Sequence, residues 1–316
     1  MTHTINNLAF VFPGQGSQSI GMATDLANHH PEVKQLFQQA SDVLGLDLWR
    51  LTAEGPETEL NQTQNTQPAL LATGVALWQV WCKQTDLRPA WLAGHSLGEY
   101  TALVCANALS FADGIKLVAQ RGKLMQEAVP AGVGAMAAIL GLEDAQIIEI
   151  CAAAAENEVV SAVNFNSPGQ VVIAGNAAAV ERAMAACKDA GAKRAVPLPV
   201  SVPSHCALML PAAEKLANQL ENTAFDTPKI QLVHNVDVTP HAEPSAIRAA
   251  LKQQLYQPVR WVDSIKFMAG QGVTRFVECG PGKVLIGLNK RIVKEAEHFT
   301  FYDNETLSNV VEQLND

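Results

Sequence analysis

The stretch that most constrains this chain is Gly94-His95-Ser96-Leu97-Gly98. An apolar run, Pro89 to Ala93, precedes it and reads as a buried strand; a helix-forming run, Leu97 to Leu109, follows. Gly-x-Ser-x-Gly at such a junction suits a sharp strand-to-helix turn, with glycines relieving the crowding and the serine oxygen pushed into solvent. The following helix aims its first N–H groups toward the serine, where they would stabilise negative charge. The alternative is a serine in an ordinary glycine turn, since short motifs also arise by chance.

Leu8 to Phe12 is a second buried strand, and it breaks at the loop Pro13-Gly14-Gln15-Gly16-Ser17-Gln18. A dinucleotide fingerprint would need a third glycine where Ser19 stands, and no acidic residue follows at the required distance. What remains is a loop rich in N–H donors, which faces the Ser96 turn if both strands lie side by side in a parallel sheet. Residues 21–45 have a helical pattern. Thr66-Gln67-Pro68 opens a helix over Ala69 to Gln84 that is apolar nearly all round, hence buried. Ser110-Phe111-Ala112-Asp113 forms a capping box for the next helix. There Arg121 lands on the apolar face among Leu117, Leu124 and Met125. An inward arginine needs an anionic partner, unless it snorkels or sits in an internal ion pair.

At Pro130-Ala131-Gly132-Val133-Gly134 the composition shifts to small residues, which marks a domain boundary. Then come a strand (Ala135 to Leu140), a helix (Asp144 to Ala155), a strand (Val159 to Phe165), a turn at Asn166-Ser167-Pro168-Gly169, a strand (Gln170 to Ala174), a helix (Ala177 to Ala190) and a strand (Arg194 to Leu198). That order predicts a ferredoxin-like subdomain over 129–200, inserted into a larger α/β catalytic domain made of 1–128 and 201–316. The loop Pro197 to His205 returns the chain to the larger domain. A strand (Gln231 to Asn235), a helix (Ile247 to Leu255), a strand (Arg275 to Glu278) and a helix after Gly280-Pro281-Gly282 (Lys283 to Ala296) complete it. The last ~20 residues read as a loosely held polar tail.

A serine nucleophile needs a base, and histidine serves near neutral pH. Of eight histidines, His95 would point away from the hydroxyl, and five lie near a terminus, at a helix end or in polar stretches. His205 and His234 remain, and His205 stands in a proline-framed loop at the domain junction. No acid follows in hydrolase order with conviction; Asp237 and Asp263 are nearest, and a backbone or amide carbonyl would serve instead. Cys206 lacks a turn or helix N-terminus to activate it. Net charge −9 disfavours nucleic acid and anionic membranes. No apolar run approaches the ~20 residues that span a bilayer, and no signal peptide is evident. Six cysteines form no C-x-x-C pair and no zinc spacing, so no metal is expected. A cytoplasmic protein is the expectation.

Six stretches occur in order: Phe12 to Gln18, Gly94 to Tyr100, Gln120-Arg121-Gly122, Asn164 to Gln170, Val202-Pro203-Ser204-His205 and Gly280-Pro281-Gly282-Lys283. Together, from about Leu8 to Val293, the chain closely resembles the malonyl-CoA:acyl-carrier-protein transacylases of bacterial fatty-acid synthesis. The resemblance implies an α/β-hydrolase-like parallel-sheet core with an inserted ferredoxin-like subdomain. It implies Ser96 as the acylated nucleophile, His205 as its base and Arg121 as the clamp on the malonyl carboxylate. It further implies that Gln15 and Leu97 supply the backbone N–H pair of the oxyanion hole and that the Gln254 carbonyl orients His205. No cofactor is implied, since the CoA thioester is a substrate, and a monomer is expected. Carrier proteins are acidic, so docking is expected where this acidic chain is most basic, at Lys283, Lys290, Arg291 and Lys294.

Overall fold

Residues 8–12 are apolar without a break because both faces of their strand are covered. The computed structural model describes residues 2–130, 132–200 and 202–315. Along them run β1 (His3–Phe12), β2 (Leu87–Gly94), β3 (Gly134–Leu140), β4 (Val160–Ser167), β5 (Gln170–Asn176), β6 (Arg194–Pro197), β7 (Gln231–Val233), β8 (Arg275–Cys279) and β9 (Glu297–Phe301). A five-stranded sheet has the order β7-β2-β1-β8-β9, parallel throughout. From β1, Leu8, Phe10 and Phe12 enter one core while Ala9 and Val11 enter another. A parallel sheet covered on both faces demands that pattern. The helix Thr63–Gln84 lies on the first face, where Trp78 and Trp81 meet the Phe10 ring edge-on at 5.6 and 5.0 Å.

The second sheet is antiparallel, in the order β4-β5-β3-β6. With the helices Asp144–Ala155 and Ala177–Asp189 on one face, it has the ferredoxin-like arrangement. Its other face carries Met136, Val163, Val172 and Ala174 and packs on Cys206 of the larger unit. The β4 backbone also reaches across, with Phe165 N donating to Val259 O at 3.0 Å and Val259 N to Val163 O at 2.8 Å. Ala131 and Ser201, within the expected boundary and the returning loop, lie outside the described residues.

Several expected elements differ. The pattern over 21–45 resolves into helices Thr24–His29 and Pro31–Leu44, because a residue before proline is pushed out of the helical region and His30 is extended. Short helices Leu48–Glu54 and Glu57–Leu60 follow. The helix expected to open at Thr66 begins at Thr63, leaving Pro68 in its interior. The helix after Ser96 stops at Cys105, where Asn107 turns to φ 56°. The C-terminal residues are not a loose tail. β9 pairs parallel with β8, and the helix Asn304–Asn315 buries Leu307, Val310 and Leu314, a spacing of three and four hidden among polar neighbours. The basic helix is likewise shorter, Val284–Ile292, with Lys283 as its N-cap and Lys294 in the link to β9. Among the described residues no helix is long and apolar enough to cross a membrane.

Candidate active site

The C-terminal ends of β1, β2 and β7 converge, as they do at ligand sites of parallel sheets. β2 delivers Ser96 at φ 52°, ψ −107°, a backbone conformation costly for a residue with a side chain. A Cβ on Gly94 would stand 1.9 Å from the Gly98 carbonyl carbon, and one on Gly98 would stand 2.0 Å from Phe12 O. Only glycine permits so close an approach, so both glycines of the motif are structural requirements. Asn235, just past β7, braces the turn: its Oδ1 accepts from Ser96 N at 2.7 Å and its Nδ2 donates to Gly94 O at 2.7 Å.

His205 arrives in the loop after β6, also at positive φ (66°), with its N–H donating to Leu255 O. Its Nδ1 lies 2.6 Å from Gln254 O and its Nε2 lies 2.8 Å from Ser96 Oγ. A carbonyl oxygen only accepts, so Nδ1 carries the hydrogen and Nε2 is left to receive the serine proton. Burial, then the nearby Arg121 charge, pushes the His205 pKa down to about 3, which keeps the ring neutral at physiological pH. Asp237 and Asp263 are elsewhere: Asp237 holds His241 at 2.6 Å and Asp263 holds Arg260 at 2.8 Å. Of the two open alternatives for orienting the histidine, the backbone carbonyl occupies the place.

Arg121 is 1% exposed, which removes the snorkelling alternative. Its Nη1 donates to Gln67 Oε1 at 2.9 Å, and its Nη2 to Gln254 Oε1 at 3.0 Å and to Ser96 Oγ at 3.1 Å. These partners are neutral oxygens, and the guanidinium also stands 5.4 Å from the centre of the Tyr100 ring. Burial lowers its pKa, an effect that Tyr100 and Glu99 partly offset.

Ser96, His205, Arg121, Gln15 and Leu97 line one cavity of ≈ 230 Å³, whose remaining wall is mostly apolar, with Met125, Met136, Val172, Leu198 and Val200. Leu97 is the first residue of its helix, where backbone N–H groups have no intrahelical partner. Gln254 lies behind the cavity and joins it to the core. His234, the other histidine candidate, points instead to Glu99, with Nδ1 2.7 Å from Oε1. His95 is held by Asn166 on β4, Nε2 to Oδ1 at 2.8 Å. Cys206 donates to Pro203 O at 3.2 Å, and burial pushes its thiol up to about 11, which leaves it unreactive. Lys283, Lys290, Arg291 and Lys294 are exposed. Lys283 sits over the Tyr302 ring and Arg291 donates to Gln170, while the helix Val284–Ile292 contributes Val284 and Leu285 to the cavity. No group of three or more metal-ligating side chains occurs among the described residues.

Sequence reasoning missed Gln67, Glu99, Asn235 and Asn166. The signal for the first two was polarity out of place: Gln67 and Glu99 are fully buried, long polar side chains on largely apolar helices. Asn235 and Asn166 stand in short polar stretches at strand ends, where nothing local sets them apart.

The acyl transferase domain family matches residues 9–305. A malonyl CoA-acyl carrier protein transacylase from Salmonella typhimurium is 61% identical over 289 residues, covering 92% of this chain and 94% of that protein. The crystal structure of an acyl carrier protein S-malonyltransferase from Vibrio cholerae superposes with a TM-score of 0.95 at 59% identity, over 96% of this chain and 99% of that one. A malonyl-transacylase solved in complex with a type II PKS acyl-carrier protein superposes with a TM-score of 0.96 at 56% identity, over 97% and 99%.

Proposed function

We infer the reaction first from kinship: the chain belongs to the acyl transferase domain family, among its malonyl CoA-acyl carrier protein transacylases. It is an acyltransferase of fatty-acid synthesis that moves malonyl from malonyl-CoA to the pantetheine thiol of acyl carrier protein. The finer reading is a ping-pong reaction through a malonyl-serine. The observation that carries it is the convergence on Ser96 Oγ of a base at 2.8 Å and a guanidinium at 3.1 Å.

In this reading His205 Nε2 takes the Ser96 proton as Oγ attacks the malonyl thioester. The N–H groups of Gln15 and Leu97 receive the oxyanion, in line with the position of both residues on the cavity wall. CoA then leaves with the proton from His205. The carrier-protein thiol enters by the same cavity, gives its proton to His205 and attacks the acyl carbon; the ester bond to Ser96 then breaks and Oγ leaves with that proton, which restores the free serine. The malonyl carboxylate sits only two bonds beyond that carbon, within reach of Arg121, whose fork can hold it by two hydrogen bonds. The apolar walls disfavour water, which supports transfer to a thiol over hydrolysis. The reaction so drawn uses no cofactor.

Incubation with malonyl-CoA followed by intact-protein mass measurement tests this. One malonyl group should appear on Ser96, persist, and discharge on addition of carrier protein; Ser96→Ala should show none while keeping its fold. Rapid loss of the adduct to water would point to an esterase, and no adduct in the unaltered protein would point to a carrier-docking module without catalysis.

A further inference from the structure

Glu99 is fully buried in the first turn of the helix Leu97–Cys105, and its carboxylate is saturated with donors. Oε1 meets His234 Nδ1 at 2.7 Å; Oε2 accepts from Asn235 N at 2.9 Å and from Gln254 Nε2 at 2.9 Å. A buried carboxylate is costly unless bonded in this way, yet Glu99 does not line the cavity and has no part in the acyl transfer described above.

Its effect runs through the Gln254 amide. Nε2 is wedged between two acceptors, Glu99 Oε2 and Ser96 O at 3.0 Å. That leaves Oε1 facing Arg121 Nη2 at 3.0 Å. The flipped amide would set its oxygen against the carboxylate and its NH₂ against the guanidinium, two repulsive contacts in a dry site. The carboxylate therefore dictates which end of the amide Arg121 meets.

We propose that Glu99 is a positioning residue for acyl-group selection, holding Arg121, through the side chain of Gln254, in the orientation that receives the malonyl carboxylate. The inference rests on the reading of Arg121 as the carboxylate clamp. A Glu99 that merely supported the fold would affect every acyl group alike. One that acts through the guanidinium affects malonyl more than an acyl group without a carboxylate.

The test compares kcat/KM for acyl-enzyme formation from malonyl-CoA and from acetyl-CoA. The proteins are the unaltered chain, Glu99→Gln, Gln254→Met, the double variant and Arg121→Ala. Gln254→Met keeps the backbone carbonyl that orients His205. Glu99→Gln and Gln254→Met should each lower the malonyl-to-acetyl ratio by about tenfold to a hundredfold, the range for one hydrogen bond to a charged group. The double variant should fall no further than the worse single, because both changes cut one path. Equal losses for the two substrates in Glu99→Gln, or a double-variant loss equal to the product of the singles, would overturn the proposal. An unchanged ratio in Gln254→Met would overturn it even if Glu99→Gln failed to fold. If Arg121→Ala left the ratio unchanged, the clamp reading itself would fall. If Arg121→Ala collapsed the ratio while the other variants kept it, only the role of Glu99 would.

Discussion

At the scale of single residues, His205 is the most consequential, since its proton traffic sets the pH range of the reaction. A histidine in solution titrates near pH 6.5, whereas burial and Arg121 push this one down to about 3. The kcat/KM for acylation by malonyl-CoA should therefore stay level from about pH 8 to about pH 5.5, where an ordinary histidine would have lost about tenfold of its basic form. A drop with a midpoint near 6.5 would mean that His205 is far better hydrated than the structure shows. Folding carries the opposite liability. Between the unfolded and folded pKa values the unfolded chain binds a proton that the folded ring refuses, so stability should fall as pH drops through that window. A urea titration at pH 7 and at pH 5 would register it as a lower midpoint at pH 5.

At the scale of elements, the basic helix Val284–Ile292 bears on the partner. The sequence predicts a longer helix carrying all four basic residues, but Lys294 lies past its end and Lys283 before its start. Lys290, on the helix whose first turn contributes Val284 to the cavity rim, and Lys294, in the link just beyond it, remain exposed. Charge reversal at both should raise the KM for carrier protein about tenfold at low ionic strength, mainly through slower association. The KM for malonyl-CoA should hardly move; steady-state assays with each substrate varied in turn would show the split. The elements that sequence read well are those with one dominant pattern: the unbroken apolar β1, the glycine-flanked serine turn, and the inserted strand–helix order from β3 to β6. Those it misread had competing patterns. Pro31 cut a helical period, Asn107 ended a helix early, and the polar residues of 304–315 masked the Leu307–Val310–Leu314 stripe. Of the site, Ser96 was legible from its glycine-flanked turn, His205 from its place in the proline-framed junction loop, and Arg121 as a charge on an apolar helix face. Asn235 and Asn166 were not, because what they brace lies 139 and 71 positions away.

At the scale of the whole molecule, β9 and the helix Asn304–Asn315 complete the parallel sheet. They bury Phe301, Leu307, Val310 and Leu314. At ~1.5–3 kcal/mol for each buried side chain, their loss is comparable to the ~5–15 kcal/mol that holds a typical domain together. A chain cut after Val293 should therefore be insoluble or lack a cooperative thermal transition, as calorimetry would show. The site has the same distributed character. The oxygen of Ser96 meets a side chain 109 positions later, and that side chain is oriented by the main-chain oxygen of residue 254. Nucleophile and base are each spelled by a codon, but a main-chain oxygen is spelled by none. No amino-acid substitution at position 254 can delete the third member of this relay. A saturation screen scored by acylation from acetyl-CoA, which needs no carboxylate clamp, should find its sharpest intolerance at two positions of the relay, and tolerance at the third wherever the helix that presents it still ends in the same place.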